Sequence, residues 1–160
     1  MKLLILNYSM NQASQIFSHQ SIVAEELSKY FDHIDVVTAE NFLGSPIQGI
    51  HVYSTNWIPG KSIKNIVNFY ITTIPLLLKH RRGVIFSHMT EVQSLLSLPI
   101  SRLFGIKHFL WYAHKSNSFS LRISYPFLTG VITSTPGSCP KSGKKVFSIG
   151  QAIKMDRLVL

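Results

Sequence analysis

His114 follows the apolar run Phe109-Leu-Trp-Tyr-Ala and precedes Lys115-Ser-Asn-Ser. An imidazole at the end of a buried strand, followed by a cation and hydroxyls, can hydrogen-bond a sugar hydroxyl or act beside a phosphate. It can equally satisfy a backbone carbonyl at the sheet edge. His88 stands in the matching place after Val84-Ile-Phe-Ser, with Thr90 behind it suited to cap the next helix. Asn11, Gln12 and Ser14 precede an expected helix whose free N–H groups suit a phosphate or carboxylate; Ser14 would also serve as a plain N-cap. Ser134 follows the run Val131-Ile-Thr. Glu25 and Glu26 are adjacent on a helix, so they point apart and form a solvated face instead of a carboxylate pair.

Other chemistries lose support. There is no G-x-G-x-x-G, no G-x-x-x-x-G-K-[ST], no G-x-S-x-G and no H-E-x-x-H. The seven histidines show no metal-ligand spacing with Cys or Asp, so no metal and no cofactor is expected. One cysteine, Cys139, excludes an internal disulfide.

These residues need a scaffold that brings strand ends together. Residues 2–7 have the length and aliphatic content of a buried strand, and residues 16–31 carry Ile16, Val23, Leu27 and Phe31 at helical spacing. Residues 33–38 read as a second strand, which completes a βαβ unit and predicts a parallel sheet. The alternation continues with strands at 51–54, 84–87, 107–113, 131–133 and 145–148. Helices are expected at 61–80, interrupted at Pro75 and closed by Gly83 as a cap; at 91–104, broken near Pro99; and at 117–128. The fold class is therefore α/β: a doubly wound, mostly parallel, Rossmann-like sheet with helices on both faces, in a single domain over residues 1–160. In such a sheet the crevice lies beyond the carboxyl ends of the strands, where 8–15, 87–91, 114–118 and 134–137 fall.

At 160 residues, 46% hydrophobic and 14% charged, the chain is long and apolar enough for one core. Sixteen Lys and Arg against seven Asp and Glu give a net charge of +9, which favours an anionic partner: phosphates, an anionic membrane face or nucleic acid. No aromatic RNA-binding motif or arginine-rich arm supports nucleic acid. The group Lys79, His80, Arg81 and Arg82 ends a helix whose other face carries Ile66, Phe69, Tyr70, Ile74 and Leu77. Such a helix can rest on an anionic membrane or pack on the sheet with its lysines in water. The opening apolar run is too short for a signal peptide, and residues 63–78 are too short and interrupted for a span.

The ordered set resembles the N-terminal domain of retaining glycosyltransferases of the GT-B architecture, the glycosyl transferase group 1 (family 4) type. The opening strand, loop and helix resemble that family's start. Arg81-Arg-Gly-Val-Ile-Phe-Ser-His88 resembles its basic helix end and the strand finishing in histidine. Phe109-Leu-Trp-Tyr-Ala-His114 resembles the strand with a functional histidine, and Val131-Ile-Thr-Ser-Thr135 and residues 146–153 resemble the strands before the domain crossing.

The resemblance implies sugar transfer from a nucleotide-sugar donor to a glycan or lipid-linked acceptor, without a metal. It implies an acceptor-binding role for this domain and a C-terminal donor-binding domain as partner. His114 would orient the transferred sugar, with Asn11, Gln12, Ser14, His88, Lys115 and Ser134 lining the substrate side. Two departures stand out: no glycine between Tyr8 and Gln20, and Ile149 where the family has Asn. The apolar end at 155–160 points to a following segment, and half a cleft is expected to be inactive alone. The expected location is cytoplasmic, peripheral on the inner membrane face. The rival expectation is a non-catalytic α/β domain that binds carbohydrate or nucleotide.

Overall fold

The computed structural model describes residues 1–40 and 47–150. Residues 151–153 of the expected domain crossing, and the apolar end at 155–160, lie outside the described residues. The elements run β1 (Lys2–Asn7), α1 (Ser18–Ser28), β2 (His33–Thr38), β3 (Ile50–Ser54), α2 (Ser62–Lys79), β4 (Val84–His88), α3 (Glu91–Leu103), β5 (Lys107–Trp111), α4 (Phe119–Ser124), β6 (Gly130–Thr133) and β7 (Val146–Ser148), with a 3-10 turn at Tyr125–Phe127.

All seven strands are parallel, in the order β3-β2-β1-β4-β5-β6-β7. The expected doubly wound sheet is thus present. Strand composition follows position. Leu3, Leu4, Ile5 and Leu6 of central β1 are buried on both faces, whereas the edge strands β3 and β7 are largely open.

One face carries Leu4, Leu6 and Ile85, packed against Phe69, Leu76 and Leu77 of α2 and Leu96 and Ile100 of α3. Farther along that face, Leu110 and Val131 meet Leu98 of α3 and Leu121 of α4. The opposite face carries Leu3, Ile5, Ile34 and Val36 against Ala24 and Leu27 of α1. Phe86 packs against this cluster, and beyond α1 strand alternation puts Phe109, Trp111 and Ile132, half-buried, and Phe147, exposed, on the same face over β5–β7. A Cβ on Gly130 would stand 2.6 Å from the Phe147 ring, so glycine there lets that ring lie flat across β6.

Several local expectations are corrected. Both α2 and α3 run through their prolines, so α3 is not broken near Pro99. Pro75 and Pro99 lie on exposed sides of their helices, where water can hydrate the freed carbonyls of Ile71 and Leu95. The helix expected from residue 16 begins at Ser18; Ile16 is exposed, and the buried side of α1 is Gln20, Ser21 and Ala24. The helix expected over 117–128 is shorter: Ser118 Oγ accepts from Leu121 N at 3.1 Å, which starts α4 at Phe119, and it tightens to 3-10 before Leu128.

At the end of α2 the left-handed residue is Arg82, with φ 70°. Gly83 serves close approach instead of the cap conformation expected of it.

Candidate functional site at the carboxyl edge of the sheet

Because every strand is parallel, the ends of β1, β4, β5 and β6 emerge along one edge. The chain builds outward from β1 to β3 and then returns to place β4 on the other side of β1. Loops therefore diverge between β1 and β4, the switch point at which open parallel sheets characteristically form their binding crevice.

Gln20, in the first turn of α1, fastens this point. Its Oε1 accepts from Tyr8 N at 3.0 Å and Ser9 N at 2.9 Å, and its Nε2 donates to the His88 carbonyl at 3.5 Å. Sequence reasoning missed Gln20. The available signal was a glutamine in line with Ala24 and Leu27 on a face that should be apolar.

His88 ends β4 and is 4% exposed. Its ring meets His19 edge-on at 5.3 Å, Trp111 at 6.0 Å and Phe86 at 5.6 Å. Burial, helped by the nearby charge of His19, pushes its imidazole down to about 4, so it is neutral at pH 7.

Among the described residues, six buried side-chain polar atoms lack a hydrogen-bond partner, and three of them sit at this edge: Asn7 Oδ1, His88 Nδ1 and Thr133 Oγ1. They end β1, β4 and β6. Asn7 and His88 occupy neighbouring strand ends on the face shared with α1. Buried polar atoms are normally paired, so unpaired ones concentrated at a crevice mark where a ligand's hydroxyls or amides can bond.

His114 and Lys115 are exposed, three and four residues beyond the end of β5, and the His114 ring lies edge-on to Tyr112 at 5.7 Å. Tyr112 pins this turn, its hydroxyl donating to the Ser116 carbonyl at 2.7 Å. Strand ends in the sheet are spaced about 4.8 Å apart, so the loops bearing His88, His114 and Ser134 succeed one another in β4-β5-β6 order.

The polar loop after β1 is organised differently from the expectation. Asn11 Oδ1 accepts from Ala13 N at 3.0 Å, Ser14 Oγ accepts from Phe17 N at 3.0 Å, and Gln12 Nε2 donates to Glu25 Oε1 at 2.6 Å. Ser14 is not the N-cap of α1, which is Phe17. Ser134 hydrogen-bonds Ser138 Oγ at 3.3 Å, within its own loop. Thr90 holds the N-cap position of α3, yet its hydroxyl donates to the Leu6 carbonyl at 3.0 Å and ties the β4 turn to β1.

The expected basic group at the end of α2 is split. His80 is fully buried, Lys79 turns onto Asp35, and only Arg81 and Arg82 face outward. The outer side of α2 is apolar, with Ile63 82% and Ile71 69% exposed beside Ile66, Val67, Ile74 and Leu78. Lys64, on the same helix, is exposed as well. No helix among the described residues is long and apolar enough to cross a membrane. One group of potential metal ligands, His33, Asp35 and His80, forms at the opposite edge of the sheet.

No family model matches this sequence, and no curated protein does. Solved structures do match. HepE of Anabaena, in complex with UDP and glucose, superposes with a TM-score of 0.64 at 13% identity, over 98% of this chain and 46% of its own. MurG of Acinetobacter baumannii gives 0.58 at 14% identity, over 98% and 47%. The UDP-GlcNAc 2-epimerase of Methanocaldococcus jannaschii gives 0.57 at 14%, over 86% and 40%. The fold is GT-B-like. At these identities the likeness shows the fold alone, and the chain spans less than half the length of each of these structures. HepE, MurG and an epimerase share this domain fold, so the site decides the chemistry.

Proposed function

We propose that this domain is the acceptor-side half of a retaining glycosyltransferase, which moves a sugar from a nucleotide-sugar donor to an acceptor hydroxyl. The observation that carries the reading is the pair of unpartnered buried polar atoms, Asn7 Oδ1 and His88 Nδ1, on neighbouring strand ends at the carboxyl edge from which the exposed His114 loop also leaves. An amide oxygen next to an imidazole nitrogen suits hydroxyls, which can both donate and accept, and a sugar offers several. The similarity to HepE, which was solved with UDP and glucose bound, supports a nucleotide-sugar donor. A second domain would hold that donor, and Phe109, Trp111, Ile132 and Phe147, on the face beyond α1, give it or its connections an apolar seat.

In this reading His114 orients the transferred sugar and stabilises charge as the nucleotide diphosphate leaves, and it is not the nucleophile. His88 contacts the acceptor. Lys115 is the nearest cation to His114 in the chain, placed for the donor phosphates. Asn11, Gln12 and Ser14 shape the loop that borders the acceptor, and Ser134 borders the far side.

In the protein carrying both domains, His114→Ala is expected to lower kcat for transfer about 100-fold, about 2.7 kcal/mol of transition-state stabilisation, with donor KM changed little. Transfer within twofold of the parent would remove His114 from the reaction. Donor binding without turnover in the parent protein would favour the non-catalytic carbohydrate- or nucleotide-binding reading.

The acceptor is lipid-linked in this proposal, and the enzyme works peripherally on the inner membrane face. The apolar outer side of α2, with Arg81 and Arg82 at its end, has the form of an interfacial helix: side chains for the acyl boundary and cations for anionic headgroups. Cosedimentation with anionic liposomes at low salt is the check. Ile63→Ser and Ile71→Ser are each expected to weaken binding at least about tenfold, from the roughly 1.5 kcal/mol or more that each buried side chain supplies. Absence of cosedimentation by the parent chain would sink the membrane assignment.

A further inference from the structure

The amino edge of the sheet holds a second constellation that the crevice chemistry does not use. Asp35, in β2, is fully buried, with its carboxylate surrounded by nitrogen. His33 Nε2 lies 3.0 Å from Oδ1; His80 Nε2 and Lys79 Nζ each lie 2.8 Å from Oδ2. Lys79 Nζ is also 2.7 Å from His33 Nε2. His33 and Asp35 share one face of β2 by their two-residue spacing, and the end of α2 delivers Lys79 and His80 onto that face.

The contacts make incompatible demands on one atom. If His33 Nε2 carries a proton, it donates to Asp35 but turns an N–H toward the Lys79 ammonium. If it carries none, it accepts from Lys79 but sets a lone pair against a carboxylate oxygen 3.0 Å away. A metal ion at the place of the ammonium removes the conflict, because both imidazoles and the carboxylate can then direct lone pairs at one cation.

The distances suit such an ion. Ligand bonds of about 2.0–2.1 Å place tetrahedral donor atoms roughly 3.3 Å apart. The two imidazoles meet different oxygens of Asp35, at 3.0 and 2.8 Å, and all three donor groups lie within 4.8 Å of one another, so the rings must turn inward slightly to share one ion. We propose that His33, Asp35 and His80 bind a divalent transition-metal ion of the zinc type, taken up by displacing the Lys79 ammonium.

Two imidazoles with one carboxylate favour such an ion over magnesium or calcium, which prefer all-oxygen shells. The Lys79 side chain is 39% exposed and long, so it can swing into water. His51 pairs with Asp35 in register on the neighbouring strand, and its ring is 5.1 Å from that of His33.

Asp35 and His80 already have the net charges that coordination needs. Burial drives the Asp35 carboxyl upward, but hydrogen bonds from Lys79 and His80 and the charge of His33 together hold it below the usual range, so it stays ionised. Burial keeps the His80 imidazole below its usual range despite the opposing pull of Asp35, so it stays neutral. His80 must move its proton from Nε2 to Nδ1 on coordination, and Nδ1 has no hydrogen-bond partner among the described residues. That missing support sets the expected affinity on the order of micromolar, below the range of metal sites whose second ring nitrogen is anchored.

The site lies at the opposite ends of the strands from the crevice. Its effect is to clamp β2 to the end of α2, independently of sugar chemistry.

The test uses the full chain without an affinity tag, titrated with Zn²⁺ by calorimetry and with Co²⁺ by visible absorption. One equivalent with the intense bands of a four-coordinate Co²⁺ site is expected, accompanied by a rise in Tm. Lys79→Met should bind at least tenfold more tightly, since the competing cation is gone. His33→Ala, at a half-buried position where folding is checked by circular dichroism, should abolish the cobalt spectrum. Two results would overturn the site. One is no stoichiometric binding by either the parent or Lys79→Met. The other is binding that survives His33→Ala unchanged. A Lys79→Met chain that only loses stability and binds no metal would assign the cluster to ion pairing alone.

Discussion

Acidification from pH 7 to pH 4 is expected to destabilise the fold by several kcal/mol, with the loss beginning near pH 6.5, well before most carboxylates titrate. His108 is the main source. It is wholly buried beneath α3, where Ser87 Oγ and Ser94 Oγ hydrogen-bond its Nε2 at 2.8 and 3.1 Å. Burial, with only hydroxyls for partners, favours the neutral ring and pushes its imidazole down to about 3. His88 is pushed down to about 4.

Both rings titrate near 6.5 once the chain unfolds, so between that value and the folded value the unfolded chain binds more protons. The stability these neutral rings provide is present above pH 6.5 and is lost as pH falls toward 4 and 3. At about 1.4 kcal/mol for each unit of separation, His88 accounts for about 3 kcal/mol and His108 for somewhat more, a large share of the 5–15 kcal/mol typical of a domain. Denaturant unfolding at a series of pH values measures it. His108→Gln, whose amide oxygen can accept from both serines but does not titrate, should flatten the slope. A Tm independent of pH between 7 and 4, or an unchanged slope in His108→Gln, would contradict this account.

Gly83→Ala is expected to cost about 3 kcal/mol and to lower Tm by roughly 6–12 °C. A Cβ at this position would stand 2.8 Å from the Lys2 carbonyl oxygen and 2.9 Å from that of His80. Both neighbours are backbone, so neither can rotate away. The Lys2 carbonyl belongs to β1, and the His80 carbonyl accepts from Gly83 N at 2.7 Å in the turn that sends α2 into β4. Any relief must shift either β1 against β4, the pair that flanks the crevice, or the helix end that carries His80. Because the damage is local to the amino edge, circular dichroism at low temperature should keep its parent shape while the thermal midpoint falls. A midpoint within 2 °C of the parent would show that the turn yields more easily than its backbone contacts imply.

Strand content was legible in the sequence because burial on both faces of a parallel sheet leaves a local mark: Leu3-Leu-Ile-Leu6 has no polar alternate, and residues 33–38, 84–88 and 107–111 each follow a helical stretch closely enough for a parallel return. From that order alone came the doubly wound class, the edge where loops gather and His88 at a strand end, whereas the strand expected over 107–113 stops at Trp111 and leaves His114 three residues out in the loop.

Tertiary packing decided the rest, since a helix's periodicity does not say which of its faces finds the sheet. On α2, Phe69 and Leu77 went inward while Ile63, Val67 and Ile71 stayed out beside the exposed Lys64. Gln20 became the fastener of the crevice because the polar atoms it bonds come from β1's loop and the end of β4, 68 residues later in the chain. Ser14 and Thr90 carry residue types that suit helix caps, but the nearest unpaired groups in space were Phe17 N and the Leu6 carbonyl. The Asp35 cluster was least legible of all. His33 and Asp35 are two residues apart, but His80 lies 45 positions beyond Asp35, and only the return of α2 to the amino edge of the sheet brings its ring to the carboxylate.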